Sequence, residues 1–222
     1  MDRVLIIMAK APAPGRVKTR LCPPATPRQA AELAAAALAD TVAAARRVRA
    51  AQVVVALDGE ADGDLGTALR VTLHGTTVIT QRGATLGERI AAVHADVAEM
   101  APAACTVQVG MDTPQIDPAV LERCLSAVAR PGGPDAALGP ATDGGWWALG
   151  LRDPRRADLL RDVPTSQADT GARTRTALES AGLRVATLPR LTDVDTMADA
   201  HLVARLCPGT HFAAALRLAL AS

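Results

Sequence analysis

The chain has 222 residues, enough for one sizeable domain and enough to bury roughly 70% of its unfolded surface without a disulfide or metal staple. Hydrophobic residues make up 49% and aromatic residues only 1%, so the core must be Ala, Leu and Val, and stacking platforms for a nucleic-acid strand are nearly missing. A formal net charge of +1 excludes a wholesale polyanion binder, and no apolar run nears the ~18 residues needed to span a membrane.

In chain order, short β-branched runs alternate with Ala-rich helical stretches. Val4 to Met8 reads as a first strand, apolar throughout and therefore covered on both faces. Thr26-Pro27-Arg28-Gln29 reads as a capping box opening a helix to about Arg49. Val53 to Leu57 is the next strand, Val78 to Thr80 a short one, and Thr85 to Glu88 caps a helix reaching about Met100. Thr106 to Val109 is a strand, Asp117-Pro118 starts a helix, and Ala136 to Leu138 and Trp146 to Leu151 are further strands. Asp169 is the expected cap of a helix to about Ser180, Arg184 to Leu188 is a late strand, and two helices close the chain. This alternation, without repeats or linkers, predicts one α/β domain over residues 1–222, a three-layer α/β/α arrangement around a mainly parallel sheet.

The four cysteines, Cys22, Cys105, Cys124 and Cys207, form no CxxC pair, so free thiols in a reducing compartment are expected. The five-residue opening strand is too short for a signal-peptide core, and a cytoplasmic location is expected, with neither nucleic acid nor membrane as partner. His74, His94, His201 and His211 have no metal-ligand spacing and read as structural.

Polar clusters fall where such sheets bind ligands, beyond the carboxyl ends of strands: residues 9–20, Asp58, Gly110 to Gln115 and residues 139–145. The loop AKAPAPGRVKTRL carries Lys10, Arg16, Lys18 and Arg20 and no acid. Two residues separate Gly15 from Lys18, so it is not a Walker loop, and a solvated basic loop is the plainer alternative. Lys18 and Arg20 suit a polyphosphate, lysine as a point charge and arginine by bidentate contact. Asp112 in GMDTP is either a turn cap or a magnesium ligand, since Mg²⁺ takes one or two carboxylates and fills its shell with water and phosphate oxygens. In GPATDGGWW, Asp143 is followed by two glycines that suit a tight turn, and of the adjacent Trp146 and Trp147 one is expected in the core and the other at a pocket. Asp195 in DVDT is either a cap for the next helix or a second metal carboxylate.

Taken together, AKAPAPGRVKTRL, QRGATLGERI, GMDTP, GPATDGGWWALGL and LTDVDT resemble the successive blocks of the DUF2064 family, which includes the radical-SAM/selenodomain-associated transferase 1 group of glycosyltransferases. The family is similar to the GT-A-fold nucleotide-diphospho-sugar transferases, and KTRL looks like the KSRL of phospholactate guanylyltransferases. The resemblance implies a nucleotide-diphospho-sugar transferase-like domain that binds an NTP or NDP-sugar with Mg²⁺ or Mn²⁺. It implies phosphate contacts at Lys10, Lys18 and Arg20, further nucleotide contacts at Ala9, Ala11, Pro12, Gly15 and Gly87, and metal ligation by Asp112 and Asp195. Asp143, Gly144, Gly145 and Trp146 would then meet a small-molecule acceptor. Trp146-Trp147 stand where the family usually has a GGYY-like pair, and Met8 and Met111 replace a Phe and a small residue.

Two reactions share Lys18, Arg20 and Asp112 as a half-site. Nucleotidyl transfer to a phosphorylated small molecule needs extra cations but no general base, and the loop's surplus of cations favours it. Glycosyl transfer to a hydroxyl needs a base, for which Asp143 is the candidate, and the family description favours that. A non-catalytic nucleotide-binding domain is a third reading, and the sequence is compatible with a homodimer.

Overall fold

A computed structural model describes residues 2–221. Strands β1 (Arg3–Lys10), β2 (Gln52–Asp58), β3 (Thr77–Thr80), β4 (Cys105–Gly110), β5 (Ala136–Pro140), β6 (Trp146–Leu151) and β7 (Val185–Thr187) form a seven-stranded sheet in the order β3-β2-β1-β4-β6-β5-β7. Only β6 runs antiparallel to its neighbours β4 and β5. Helices α1 (Pro27–Arg46), α2 (Gly63–Leu73), α3 (Leu86–Met100), α4 (Pro118–Ala129), α5 (Thr170–Ser180), α6 (Met197–Leu206) and α7 (His211–Ala221) complete the domain.

The alternation of β1 shows why the sheet must be covered twice. Leu5 and Ile7 pack with Leu38, Val42 and Leu125 on one side, whereas Val4 and Ile6 pack with Val93 and Val97 of α3 on the other. A further layer forms where Leu33 of α1 meets Val203 and Phe212 of the closing helices. No described helix is long and apolar enough to cross a membrane.

Local chemistry sets the helix starts. Thr26 and Gln29 form the expected reciprocal box on α1, as do Thr85 and Glu88 on α3, and Asp117 accepts from Ala119 N at the start of α4. Thr196 and Asp199 form a third box on α6. Asp169 does occupy the cap position of α5, but its carboxylate pairs with Arg173 at 2.7 Å and makes no cap hydrogen bond. Helix α1 ends at Arg46, earlier than its composition suggests. Helix α2 was not expected at all, because Gly63 and Gly66 weaken its propensity. Its start is buttressed by Gly66 N donating to Asp62 O at 3.0 Å.

One irregularity matters for the site. Gly139 pairs with Ala148 and Pro140 with Trp146, leaving Trp147 as the extra residue of a bulge. The bulge sends Trp147 into the core at 3% exposure while Trp146 remains half-buried on the opposite side. Gly139 is required beside it, since a Cβ there would lie 2.6 Å from Trp147 Nε1, which donates to Pro189 O at 2.9 Å.

Candidate active site

The strand order runs outward in opposite directions from the β1–β4 pair, so the crevice between their carboxyl ends is the topological switch point of the sheet. A cleft of about 650 Å³ opens there. Met111 N donates to Met8 O and Lys10 N meets Met111 Sδ, both at 3.1 Å, so the two strand ends are tied together at its floor.

The four loop cations divide into two pairs. Lys18, whose side chain is 13% exposed, donates from Nζ to Asp112 Oδ2 at 2.8 Å and to Val194 O. Val194 N in turn donates to Asp112 O at 2.9 Å, closing a triangle among three distant parts of the chain. Arg20 pairs with Asp195. Lys10 and Arg16 line the cleft, are exposed, and have no ion-pair partner among the described residues. The charge available to an incoming anion therefore sits first on Lys10 and Arg16.

Against these cations stand Asp112, Asp143, Asp193 and Asp195, all lining the cleft. Burial, reinforced by the nearby Asp112 and Asp143 carboxylates, pushes the Asp193 carboxyl up to about 6, with Lys18 acting in the opposite direction. Asp193 is thus crowded by like charge that the protein leaves incompletely compensated. Among the described residues no three acidic, histidine or cysteine side chains converge as a preformed metal cage. A hard divalent cation does not require one, because one or two carboxylates suffice when water and phosphate supply the rest, and the Asp112–Asp193 pair fits that donor set.

The far wall is built from β6 and the loop before α5. Trp146 Nε1 donates to Thr174 Oγ1 at 3.1 Å, fixing the indole at the cleft. Gly144 (φ 91°) lies beneath this loop, and a Cβ on it would come within 1.8 Å of Ala168 O. Gly171 N donates to Gly144 O at 2.8 Å, and Thr165 to Ala168 thereby overhang the cleft. Asp143 Oδ1 accepts from Gly145 N at 2.8 Å.

Of the residues singled out from sequence, Ala9, Lys10, Lys18, Arg20, Asp112, Asp143, Gly145, Trp146 and Asp195 line the cleft. Ala11, Pro12, Gly15, Gly87 and Gly144 lie outside its lining. Ala11 N is tied to Asp58 O at 2.8 Å, and Ala11 and Pro12 are buried as the spine of the loop. Gly15 turns the exposed loop with φ 76°. Gly87 lets α3 pack closely, since a Cβ would lie 2.4 Å from Leu160 O.

Among the lining residues that sequence did not single out as ligands are Gln81, Gln108 and Asp193, the last named only as part of its segment. Asp193 shares the DVDT segment, and its two-residue offset from Asp195 was the available signal. Gln81 follows β3 directly; its Nε2 donates to Ala9 O at 2.9 Å and Ala56 O at 2.8 Å, which fixes the amide's orientation. Gln108 lies inside β4, where no loop signal could mark it.

Residues 41–167, more than half of the chain, match the family described as "Uncharacterized protein conserved in bacteria", DUF2064. The chain belongs to this family. A DUF2064 fold of this kind is shared with a protein from Desulfovibrio desulfuricans G20 provisionally described as a nucleotide-diphospho-sugar transferase. That protein is 26% identical, with a TM-score of 0.86 over 99% of this chain and 96% of its own. CMP:2-keto-3-deoxy-manno-octonic acid synthetase in complex with CTP is similar at 16% identity and a TM-score of 0.58, covering 94% of this chain and 99% of that one. A cytidylyltransferase from Leptospira borgpetersenii serovar Hardjo-bovis (strain JB197) is similar at 13% identity and a TM-score of 0.56, covering 90% of this chain and 83% of that one. No curated protein matches the DUF2064 chain in sequence. Its fold is that of nucleotide-diphospho-sugar transferases, a mixed α/β single domain.

Proposed function

We propose that the protein is a transferase with a nucleotide-activated donor, and that it moves a nucleotidyl group from an NTP to a phosphorylated small molecule. The observation that carries this reading is the pair of unpartnered cations, Lys10 and Arg16, beside a cleft whose acids cluster at Asp112 and Asp193. A phosphate acceptor is already a nucleophile; its oxygen attacks the α-phosphorus, a new P–O bond forms, and the α–β P–O bond breaks as pyrophosphate leaves. Such a site needs positive charge around two sets of phosphates and no general base. Lys10 and Arg16 would meet the entering phosphates, and Lys18, already beside Asp112, would stabilise the charge that develops. Asp112 and Asp193 would hold Mg²⁺ or Mn²⁺, with Asp195 reaching it only on release from Arg20. When bound, that ion supplies charge neutralisation at the phosphates.

Glycosyl transfer from an NDP-sugar is the second reading, favoured by the provisional description of the Desulfovibrio protein. Asp143 would be its base. It is exposed and held by Gly145 N.

The test incubates the protein with Mg²⁺, each NTP and a set of sugar phosphates, following pyrophosphate. Release is expected, and Asp112→Ala should lower it by on the order of 10²-fold or more. Consumption of an NDP-sugar without pyrophosphate release from any NTP would replace the first reading by the second.

A further inference from the structure

Beneath the cleft lies a polar chain that the proposed reaction does not use. His94 of α3 is fully buried among apolar side chains, and burial pushes its imidazole down to about 4, so the ring is neutral at physiological pH. One ring nitrogen, Nδ1, is 3.2 Å from Thr106 Oγ1, and the other, Nε2, is 3.0 Å from Gln108 Oε1. Gln108 is 3% exposed and lines the cleft. The second polar atom of its amide has no hydrogen-bond partner among the described residues.

The front of this amide opens to the cleft rather than being sealed, so a polar group entering the cleft can complete its hydrogen bonding. Gln108 sits in β4, between β1, which carries the cationic loop, and β6, which carries Trp146. Its register partners are Ile6 and Leu149, so apart from His94 behind it the amide is flanked along the sheet by apolar residues. Trp146 and Ile90 supply flat apolar surface in the same cleft.

We infer that Gln108 is a specificity-determining residue that hydrogen-bonds a hydroxyl of the acceptor, and that His94 is its positioning residue. The neutral imidazole has two tautomers, and each presents the opposite face of the Gln108 amide to the cleft. A hydroxyl donates and accepts, so it pairs with either face. A hydroxylated ring with its C–H face on Trp146 and its phosphate towards Lys10 and Arg16 meets all three features. The acceptor class is therefore a sugar phosphate. This inference rests on the reading that the cleft receives a phosphorylated acceptor.

The test titrates α-D-glucose 1-phosphate, α-D-mannose 1-phosphate and N-acetyl-α-D-glucosamine 1-phosphate calorimetrically into wild-type protein and Gln108→Leu, alongside each NTP with Mg²⁺. Wild-type protein should favour one sugar. Gln108→Leu should weaken that sugar by about 5- to 100-fold, flatten discrimination among the three, and leave NTP affinity within about twofold. In ¹⁵N-labelled wild-type protein, which needs no variant to fold, the preferred sugar should shift the Gln108 side-chain amide and the His94 ring nitrogens together. Failure of all three sugars to bind, an unchanged sugar affinity in a folded Gln108→Leu protein, or silent Gln108 and His94 signals would each overturn the inference. NTP binding in the same titrations reports on the donor site separately, so loss of the proposed function and loss of the Gln108 contact are told apart.

Discussion

Lys18 holds φ 47° and ψ 38°, a left-handed conformation that costs a side chain-bearing residue about 1 kcal/mol or more. A glycine would relieve that cost, but only a long cation at this place spans to both Asp112 and Val194 O. The opposite sign of the same economy is found at Asp193. Its folded-state pKa is raised from 3.8 to about 6, so the native state binds the proton more tightly than the unfolded chain. Ionising it weakens the fold progressively as pH rises from about 4 to 6, and the cost is fully present above that window. Asp193→Asn is therefore expected to raise the thermal midpoint, by more at pH 8 than at pH 5, while weakening Mg²⁺-dependent NTP binding at least tenfold. Paired thermal melts and nucleotide titrations check this; a variant that is stabilised yet binds nucleotide normally would remove Asp193 from the site.

Among the elements, the wall formed by β6 and the loop before α5 depends on two glycines that were read from sequence only as turn and close-approach signals. Gly144 is doubly constrained, by φ 91° and by Ala168 O. Gly144→Ala should destabilise the protein by more than about 2 kcal/mol in urea unfolding, or release the overhanging loop, seen as faster amide exchange at residues 165–168. Capping boxes at Thr26 and Thr85 were legible because their bonds lie within four residues. The bulge at Trp147 was not, because it depends on which strand lies alongside, although the pleat already predicts that the two tryptophans part between core and cleft. Helix α2 escaped because its two glycines mask a packing face of Leu65, Leu69 and Leu73.

For the molecule as a whole, the layering and the mainly parallel sheet were readable from the alternation of elements, and so was the rule that sites lie beyond strand ends. The switch point was not, since it requires the spatial order of strands. Nor could sequence pair Lys18 with Asp112, a contact spanning 94 residues. The buried His94 couples the fold to pH in the direction opposite to Asp193. Its pKa is depressed from 6.5 to about 4, so the unfolded chain gains the proton first as pH falls. Stability should be full above about pH 6.5 and decline below it, by about 2 kcal/mol at pH 5. Comparing urea midpoints of wild-type protein and His94→Gln at pH 7.5 and 5 isolates this share; an identical pH dependence in both would show that His94 does not supply it.

The triangle of Lys18, Asp112 and Val194 has a temporal consequence. Chains emerge from the ribosome amino end first, at roughly 5–20 residues per second, and early segments settle as they appear. Lys18 and Asp112 are made well before Val194, whose carbonyl lies 176 positions beyond Lys18. An unfinished polypeptide thus exposes the cationic loop without the segment that anchors it, and acquires its finished cleft only once Val194 has been made.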